Sequence, residues 1–326
     1  MNKVNQIDYY IVDAFTDHVF QGNQAGVCLL EQPLSRNEMQ SIAAENQLSE
    51  TAFVVPAKQD GEYDIRWFTP VDEVDLCGHA TLASAYVLCS CVETERKQVL
   101  FHTMSGDIQV KKITESTEEP VYQMILPKWN AQSVALTTEQ MDRMTQMLGV
   151  RPQNVVASRD LFLELKDVEE VSHLAPDYEE MLRITIEGGW LGLVVTAQVH
   201  SDSEVREALL ERGVRAGSGA VKKENVEDSE NTENIQSTEN SENIDIFKTD
   251  FVSRYFCPEL DCKEDPVTGS SHNTLIPYWS ERLHKQKMTA VQLSKRTGFL
   301  YCENQNTNQV LVNGKAALYL HGKIQI

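Results

Sequence analysis

Two segments of the chain lead into an apolar helical run through a glycine: Asp75-Leu76-Cys77-Gly78-His79-Ala80-Thr81 and Glu264-Asp265-Pro266-Val267-Thr268-Gly269-Ser270-Ser271. A helix start leaves backbone N–H donors unpaired and carries the positive end of the helix dipole. A glycine at that point lets a guest come close to the backbone. Taken singly, each glycine is equally well explained as the opening of a buried helix. Two such starts facing one another would grip one small anion from opposite sides. No P-loop or dinucleotide-type glycine pattern is present, so the expected guest is a carboxylate.

Titratable side chains lie in or beside these segments. Glu50, within Asn46-Gln47-Leu48-Ser49-Glu50-Thr51-Ala52-Phe53, sits where a helix hands over to an apolar strand. A half-buried carboxylate there would have a raised pKa and could work as an acid or base; a solvated loop glutamate would not. His79 falls in the first turn of its helix, where the dipole favours a neutral ring able to take a proton. The bland alternative is a satisfied core histidine. Asp265 stands just ahead of the second helix start, where an acid also interacts well with the dipole alone. Cys77 is either a thiol activated by the helix start or an inert buried one.

These residues need a scaffold. Strands are expected at Tyr9 to Phe15, Ala25 to Leu30, Ala52 to Val55, Ile65 to Phe68, Val99 to His102, Ile108 to Ile113 and Val121 to Leu126. Ser35 with Glu38 forms a capping box ahead of Met39, Ile42 and Ala43. Gly78 to Cys91 reads as a helix without a polar face, which belongs in the middle of a domain. The second half repeats the order. Thr137 and Gln140 open a helix ending near Gly149, and another is expected around Asp177 to Arg183. Strands are expected at Leu161 to Leu165 and Leu191 to Val199. After Thr268-Gly269 comes a helix carrying Leu275, Ile276, Tyr278, Trp279 and Leu283, with Pro277 predicting a kink or break. Strands then return at Val310 to Val312 and Leu318 to Leu320. The expected architecture is α+β: two similar domains, each a sheet wrapped on one central helix. The first covers about 1–126 with the last strand, about 316–326; the second covers 127–315. Residues 222–246 hold eight acids against two lysines and almost no large apolar side chain, which predicts a disordered insertion.

Composition narrows the function. The 326 residues carry 29 Lys and Arg against 49 Asp and Glu, a net charge of −20. That balance argues against nucleic acid and anionic lipid as partners. No apolar run is long enough to span a bilayer and no secretory signal is visible, so a cytoplasmic protein is expected. The seven cysteines and eight histidines show no zinc-type spacing, so no metal is expected.

Taken together, the motifs resemble the PhzF family, named for a phenazine-biosynthesis isomerase. They run from Asp13-Ala14-Phe15-Thr16 and Gly22-Asn23-Gln24-Ala25-Gly26-Val27 through Leu48-Ser49-Glu50-Thr51-Ala52-Phe53, Trp67-Phe68-Thr69-Pro70 and Cys77-Gly78-His79-Ala80-Thr81. They return at Phe251-Val252-Ser253-Arg254-Tyr255-Phe256 and Glu264-Asp265-Pro266-Val267-Thr268-Gly269-Ser270. The resemblance implies the diaminopimelate epimerase-like fold, two barrel-like domains each around a central helix, with the site in the cleft between them. It implies a cofactor-free isomerase of a small carboxylate-bearing metabolite, often a homodimer. The family's catalytic groups fall on Glu50, His79 and Asp265. Asn23, Ser49, Gly78, Gly269 and Ser270 fall at substrate-binding positions, with the amides of Gly78, His79, Gly269 and Ser270 holding the carboxylate. Epimerases and racemases of this fold oppose two thiols. Here Cys77 matches the first, but Thr268 stands at the second, which disfavours two-thiol chemistry. The alternatives are an epimerase using Cys77 with another base and a non-catalytic carboxylate binder.

Overall fold

The computed structural model describes residues 6–113, 120–214, 248–257 and 262–326. The acidic segment 222–246 lies outside them.

The first half contains strands β1 (Gln6–Ala14), β2 (Asn23–Leu29), β3 (Glu50–Pro56), β4 (Glu62–Phe68), β5 (Glu73–Val74), β6 (Gln98–Thr103), β7 (Gly106–Lys112) and β8 (Tyr122–Pro127). Helix α1 (Arg36–Asn46) precedes β3 and α2 (Gly78–Tyr86) precedes β6. The second half contains β9 (Gln132–Ser133), β10 (Asn154–Ala157), β11 (Leu161–Glu164), β12 (Leu193–Gln198), β13 (Phe251–Cys257), β14 (Cys262–Asp265), β15 (Lys287–Gln292), β16 (Gly298–Asn304) and β17 (Gln309–Gly314). Its helices are α3 (Thr138–Leu148), α4 (Val168–Ser172), α5 (Tyr178–Gly188), α6 (Asp202–Glu211) and α7 (His272–Leu283). The last strand, β18 (Ala316–Gln325), pairs antiparallel with β1.

Strand pairing follows the same order in both halves. From β1 to β8 it runs antiparallel (β1–β2), parallel (β2–β3), antiparallel (β3–β4), parallel (β4–β6), then antiparallel twice (β6–β7, β7–β8). From β10 to β17 it repeats: antiparallel (β10–β11), parallel (β11–β12), antiparallel (β12–β13), parallel (β13–β15), then antiparallel twice (β15–β16, β16–β17). Short β5 adds to β4 just as short β14 adds to β13. The two runs are joined where β8 pairs with β17. In each half a parallel pair requires a crossover. The second crossover carries the central helix, α2 or α7.

Helix α2 is buried on every side from Gly78 to Ala85, including its polar residues His79, Thr81 and Ser84. Its hydroxyls turn inward onto the preceding turn, Thr81 Oγ1 donating to Cys77 O at 2.6 Å and Ser84 Oγ to Ala80 O at 2.7 Å. The helix continues as a wider π-helical turn over Val87–Val92, closed by Glu93 N donating to Leu88 O. The capping box at Ser35 and Glu38 is formed with both hydrogen bonds, and so is the one at Thr137 and Gln140. Gly149 ends α3 at φ 77°, a left-handed conformation that suits glycine.

Pro277 does not break α7, which runs on to Leu283. A proline at that position leaves the carbonyl of Asn273 without its helical donor. The backbone N–H of Trp129, from the segment joining the two halves, supplies a replacement at 3.0 Å. The sequence reading also missed α4, α6, β10, β13, β15 and β16. Strand β13 is buried at every position, including Arg254, whose charge interrupts the apolar pattern. Arg254 is held by Glu264 at 2.7 and 2.9 Å and by the carbonyls of Val171 and Leu174.

The halves lock together near the start of β2. Arg296, ahead of β16, donates to buried Asp13 at 2.7 Å and to the carbonyls of Gln21 and Gly22. Phe15 sits at φ 64° with its ring buried beneath Gly269. Its backbone bridges β16 and the turn before β18, donating to Lys315 O and accepting from Phe299 N. A left-handed phenylalanine persists only where the surroundings impose it.

Candidate active site

The two helix starts meet. A Cβ added to Gly78 would lie 3.2 Å from Gly269 Cα, and one added to Gly269 would lie 3.3 Å from Gly78 Cα. Two positive dipole ends in van der Waals contact repel unless negative charge lies beside them. Two carboxylates, Glu50 and Asp265, lie beside them.

Glu50 is the first residue of β3, set there by α1 ending at Asn46 and by left-handed Gln47 at φ 53°. Its partner on β2 is Ala25. Glu50 Oε2 lies 3.0 Å from His79 Nε2, with side chains 16% and 5% exposed. Burial works against a charged His79. The Cys77 sulfur and the Glu50 carboxylate work for it, and the ring is held well above the ordinary histidine range. The expectation of a neutral ring therefore fails, because Cys77 and the Glu50 carboxylate, both facing the ring, together outweigh burial and the helix dipole. His79 Nδ1 stands 3.5 Å from Cys77 Sγ and 3.1 Å from Asn23 Nδ2.

Asn23, fully buried at the start of β2, reaches into the second half. Its amide nitrogen donates to Asp265 Oδ1 at 2.7 Å and to Val267 O at 3.0 Å. Asp265 also accepts from Thr268 Oγ1. Burial pushes the Asp265 carboxyl up to about 6, against the opposing pull of His79. Gln292 braces this loop, accepting from Thr268 N at 2.9 Å and donating to Asp265 O at 2.8 Å. Sequence reasoning had no signal for Gln292, a polar residue in an apolar strand far along the chain.

The structure thus brings Glu50, His79, Asp265, Asn23, Gly78, Gly269 and Ser270 to one place. Ser49 precedes Glu50 at the half-buried start of β3 and, among the described residues, takes no part in this hydrogen-bond network. Cys77 is buried, and desolvation pushes its thiol up to about 11, so at neutral pH it is a protonated thiol and not an activated one. Glu50, Cys77 and His79 offer ligand atoms within 4.8 Å of one another, a donor set that could also hold a metal ion. Direct pairing of the imidazole with the carboxylate and a protonated thiol suit proton handling better. Among the described residues no helix is long and apolar enough to cross a membrane.

Comparison with known proteins places the chain in a family. The chain matches the PhzC-PhzF family, described as phenazine biosynthesis-like protein, over residues 12–208 and 221–322. It is 34% identical to an uncharacterised isomerase of Pseudomonas aeruginosa over 98% of this chain and 100% of that protein. A phenazine biosynthesis PhzC/PhzF candidate from Clostridium difficile superposes with a TM-score of 0.75 at 41% identity, covering 98% of this chain and 100% of that one. At 7% identity, a hydroxyproline epimerase from Agrobacterium vitis shares the fold alone, with a TM-score of 0.56 over 100% of this chain and 94% of that one. The architecture is therefore diaminopimelate epimerase-like α+β, and the chain belongs to the phenazine biosynthesis-like PhzC-PhzF family.

Proposed function

We propose that this protein is an isomerase that moves a proton between carbon atoms of a small carboxylate-bearing metabolite. The observation that carries this reading is the contact between Gly78 and Gly269, which sets two helix starts against each other beside Glu50, His79 and Asp265. The substrate carboxylate sits on the amides of Gly78, His79, Gly269 and Ser270. Glu50 Oε2 lies 3.0 Å from His79 Nε2 but is buried without a hydrogen-bond partner among the described residues, so the carboxylate has capacity left for a substrate proton. Glu50 takes the C–H proton as its carboxylate, and the electron pair left on carbon delocalises toward the bound acid group. The helix starts stabilise that charge as it develops. Glu50, now protonated, returns the proton at a second carbon, so that no proton is gained or lost overall. His79 remains protonated and orients Glu50, while Asp265 and Asn23 hold the second helix start in place.

Replacing Glu50 with Gln keeps the shape and removes the base. General acid–base groups contribute about 10²- to 10⁴-fold, so solvent-deuterium exchange into the substrate carbon should fall by that factor in Glu50→Gln. Full exchange in this variant would exclude Glu50 as the base. Tight carboxylate binding without exchange in the unmodified protein would make the chain a binder instead.

A further inference from the structure

The repeated strand order makes positions in the two halves comparable. The turn between β1 and β2 leads into Asn23, the first residue of β2, which bonds to Asp265. The corresponding turn, between β10 and β11, carries Ser158, Arg159 and Asp160. Arg159 Nη2 donates to Ser270 Oγ at 3.0 Å. Ser270 belongs to the helix start that touches Gly78, and its backbone nitrogen lies 3.6 Å from where a Gly78 Cβ would be. The guanidinium is therefore one side chain away from the carboxylate grip.

Arg159 is also held ready and incompletely satisfied. Its plane lies over the Trp129 ring, 5.0 Å from the centroid, which limits its motion. Trp129 is itself pinned by its backbone bond to Asn273 in the first turn of α7. Arg159 Nε is buried and has no hydrogen-bond partner among the described residues. Its nearest acid, buried Asp160, accepts from Tyr255 Oη on Oδ1 at 3.0 Å and leaves Oδ2 3.5 Å from Nη2, which balances part of the guanidinium charge without a close hydrogen bond. The side chain as a whole keeps 28% of its surface exposed. An arginine fork in this state matches a planar carboxylate.

We propose that Arg159, backed by Trp129, is a specificity-determining residue that receives a second carboxylate, so that the preferred substrates are dicarboxylic acids. The first acid group occupies the paired helix starts, and the second lies beyond Ser270 on the guanidinium. Because Arg159 donates to Ser270 Oγ, the serine hydroxyl keeps its own hydrogen for the guest. This inference rests on the isomerase reading for its reaction, but not for its binding.

The test compares succinate and glutarate with butyrate and pentanoate. Binding is measured by calorimetry on the full chain, and deuterium uptake by mass detection. The unmodified protein should bind the diacids at least tenfold more tightly than the monoacids. Arg159→Gln should reduce that ratio at least tenfold, and Arg159→Lys, which keeps the charge without the fork, should restore part of it. A melting temperature for each variant separates this from misfolding. If Arg159→Gln weakens both classes equally, the residue only braces Ser270 and the proposal falls. If the diacid preference depends on Arg159 but no acid in the panel exchanges its proton, the binding inference stands and the isomerase reading loses support. If exchange occurs without any diacid preference, the reverse holds.

Discussion

Each central helix carries a histidine in its first turn, and the two are opposites. His79 in α2 and His272 in α7 are both buried beside a glycine-led helix start. Desolvation pushes His272 down to about 4, so its ring is neutral, with Nδ1 bonded to Thr268 O at 2.9 Å. His79 is held well above the usual range. Burial and helix dipole act on both rings alike. What differs is that Cys77 and Glu50 face His79, the Glu50 carboxylate at 3.0 Å, while among the described residues no such groups act on His272. The duplicated topology gives each half the same helix start. Side chains brought from neighbouring strands then set the Glu50–His79 pair beside the first and the Thr268–Asp265 hydrogen bond beside the second.

The comparison breaks most severely if the two starts are forced apart. In Gly78→Ala the new methyl meets the backbone of Gly269 at 3.2 Å, and backbone cannot swing aside as a side-chain tip can. Losing well-placed backbone donors costs about 10²- to 10³-fold in turnover. Exchange activity should fall by that order, with carboxylate affinity falling alongside it. A Gly78→Ala protein with full activity would mean that the starts need not touch.

Much of this comparison was legible in the sequence, and what was not has physical causes. Gly78, His79 and Glu50 announce themselves because a helix start and a helix-to-strand handover are local patterns. The charge of His79 was misjudged because its partner lies 29 positions earlier in the chain, and local pattern reports only the dipole. Asn23 entered through a motif, but its reach to Asp265 across the two halves is a tertiary fact. Strand β13 escaped because Arg254 is buried through ion pairing, which periodicity reads as exposure. Arg159 gave no sign at all. It sits in an ordinary polar turn and matters only once that turn is seen to correspond to the one before β2.

Removing the carboxylate should make the two histidines alike. In Glu50→Gln, His79 keeps its burial and its helix start but loses the charge that holds its proton, so its titration followed by NMR should move down toward that of His272. The sign for stability follows. A group whose pKa is higher in the folded state stabilises the fold fully below its unfolded value, about 6.5 for histidine, and that contribution is lost as pH rises through the folded value. The unmodified protein should therefore lose melting temperature as pH rises above about 6.5, and Glu50→Gln should show a flatter profile in that window. An unchanged His79 titration in the variant would mean that Glu50 does not hold the proton.

The smallest expected effect belongs to Cys77, and it separates two chemistries. A two-thiol epimerase needs an activated sulfur on each helix start. The second start offers Thr268, whose hydroxyl is committed to Asp265. The first offers a thiol pushed up to about 11 by burial and by the neighbouring Glu50. At neutral pH such a thiol has about 10⁻⁴ of its population as thiolate. It stands 3.5 Å from His79 Nδ1 as a neutral thiol. Cys77→Ala should therefore lower exchange by less than about tenfold, the cost of a modest loss of packing around the imidazole. Loss comparable to that of Glu50→Gln, together with inactivation by a thiol alkylating agent that substrate prevents, would transfer the proton step to the sulfur. The first helix start would then be half of a racemase site whose other half is supplied by an oxygen or a carboxylate, with Asp265 the nearest acid on the opposite side.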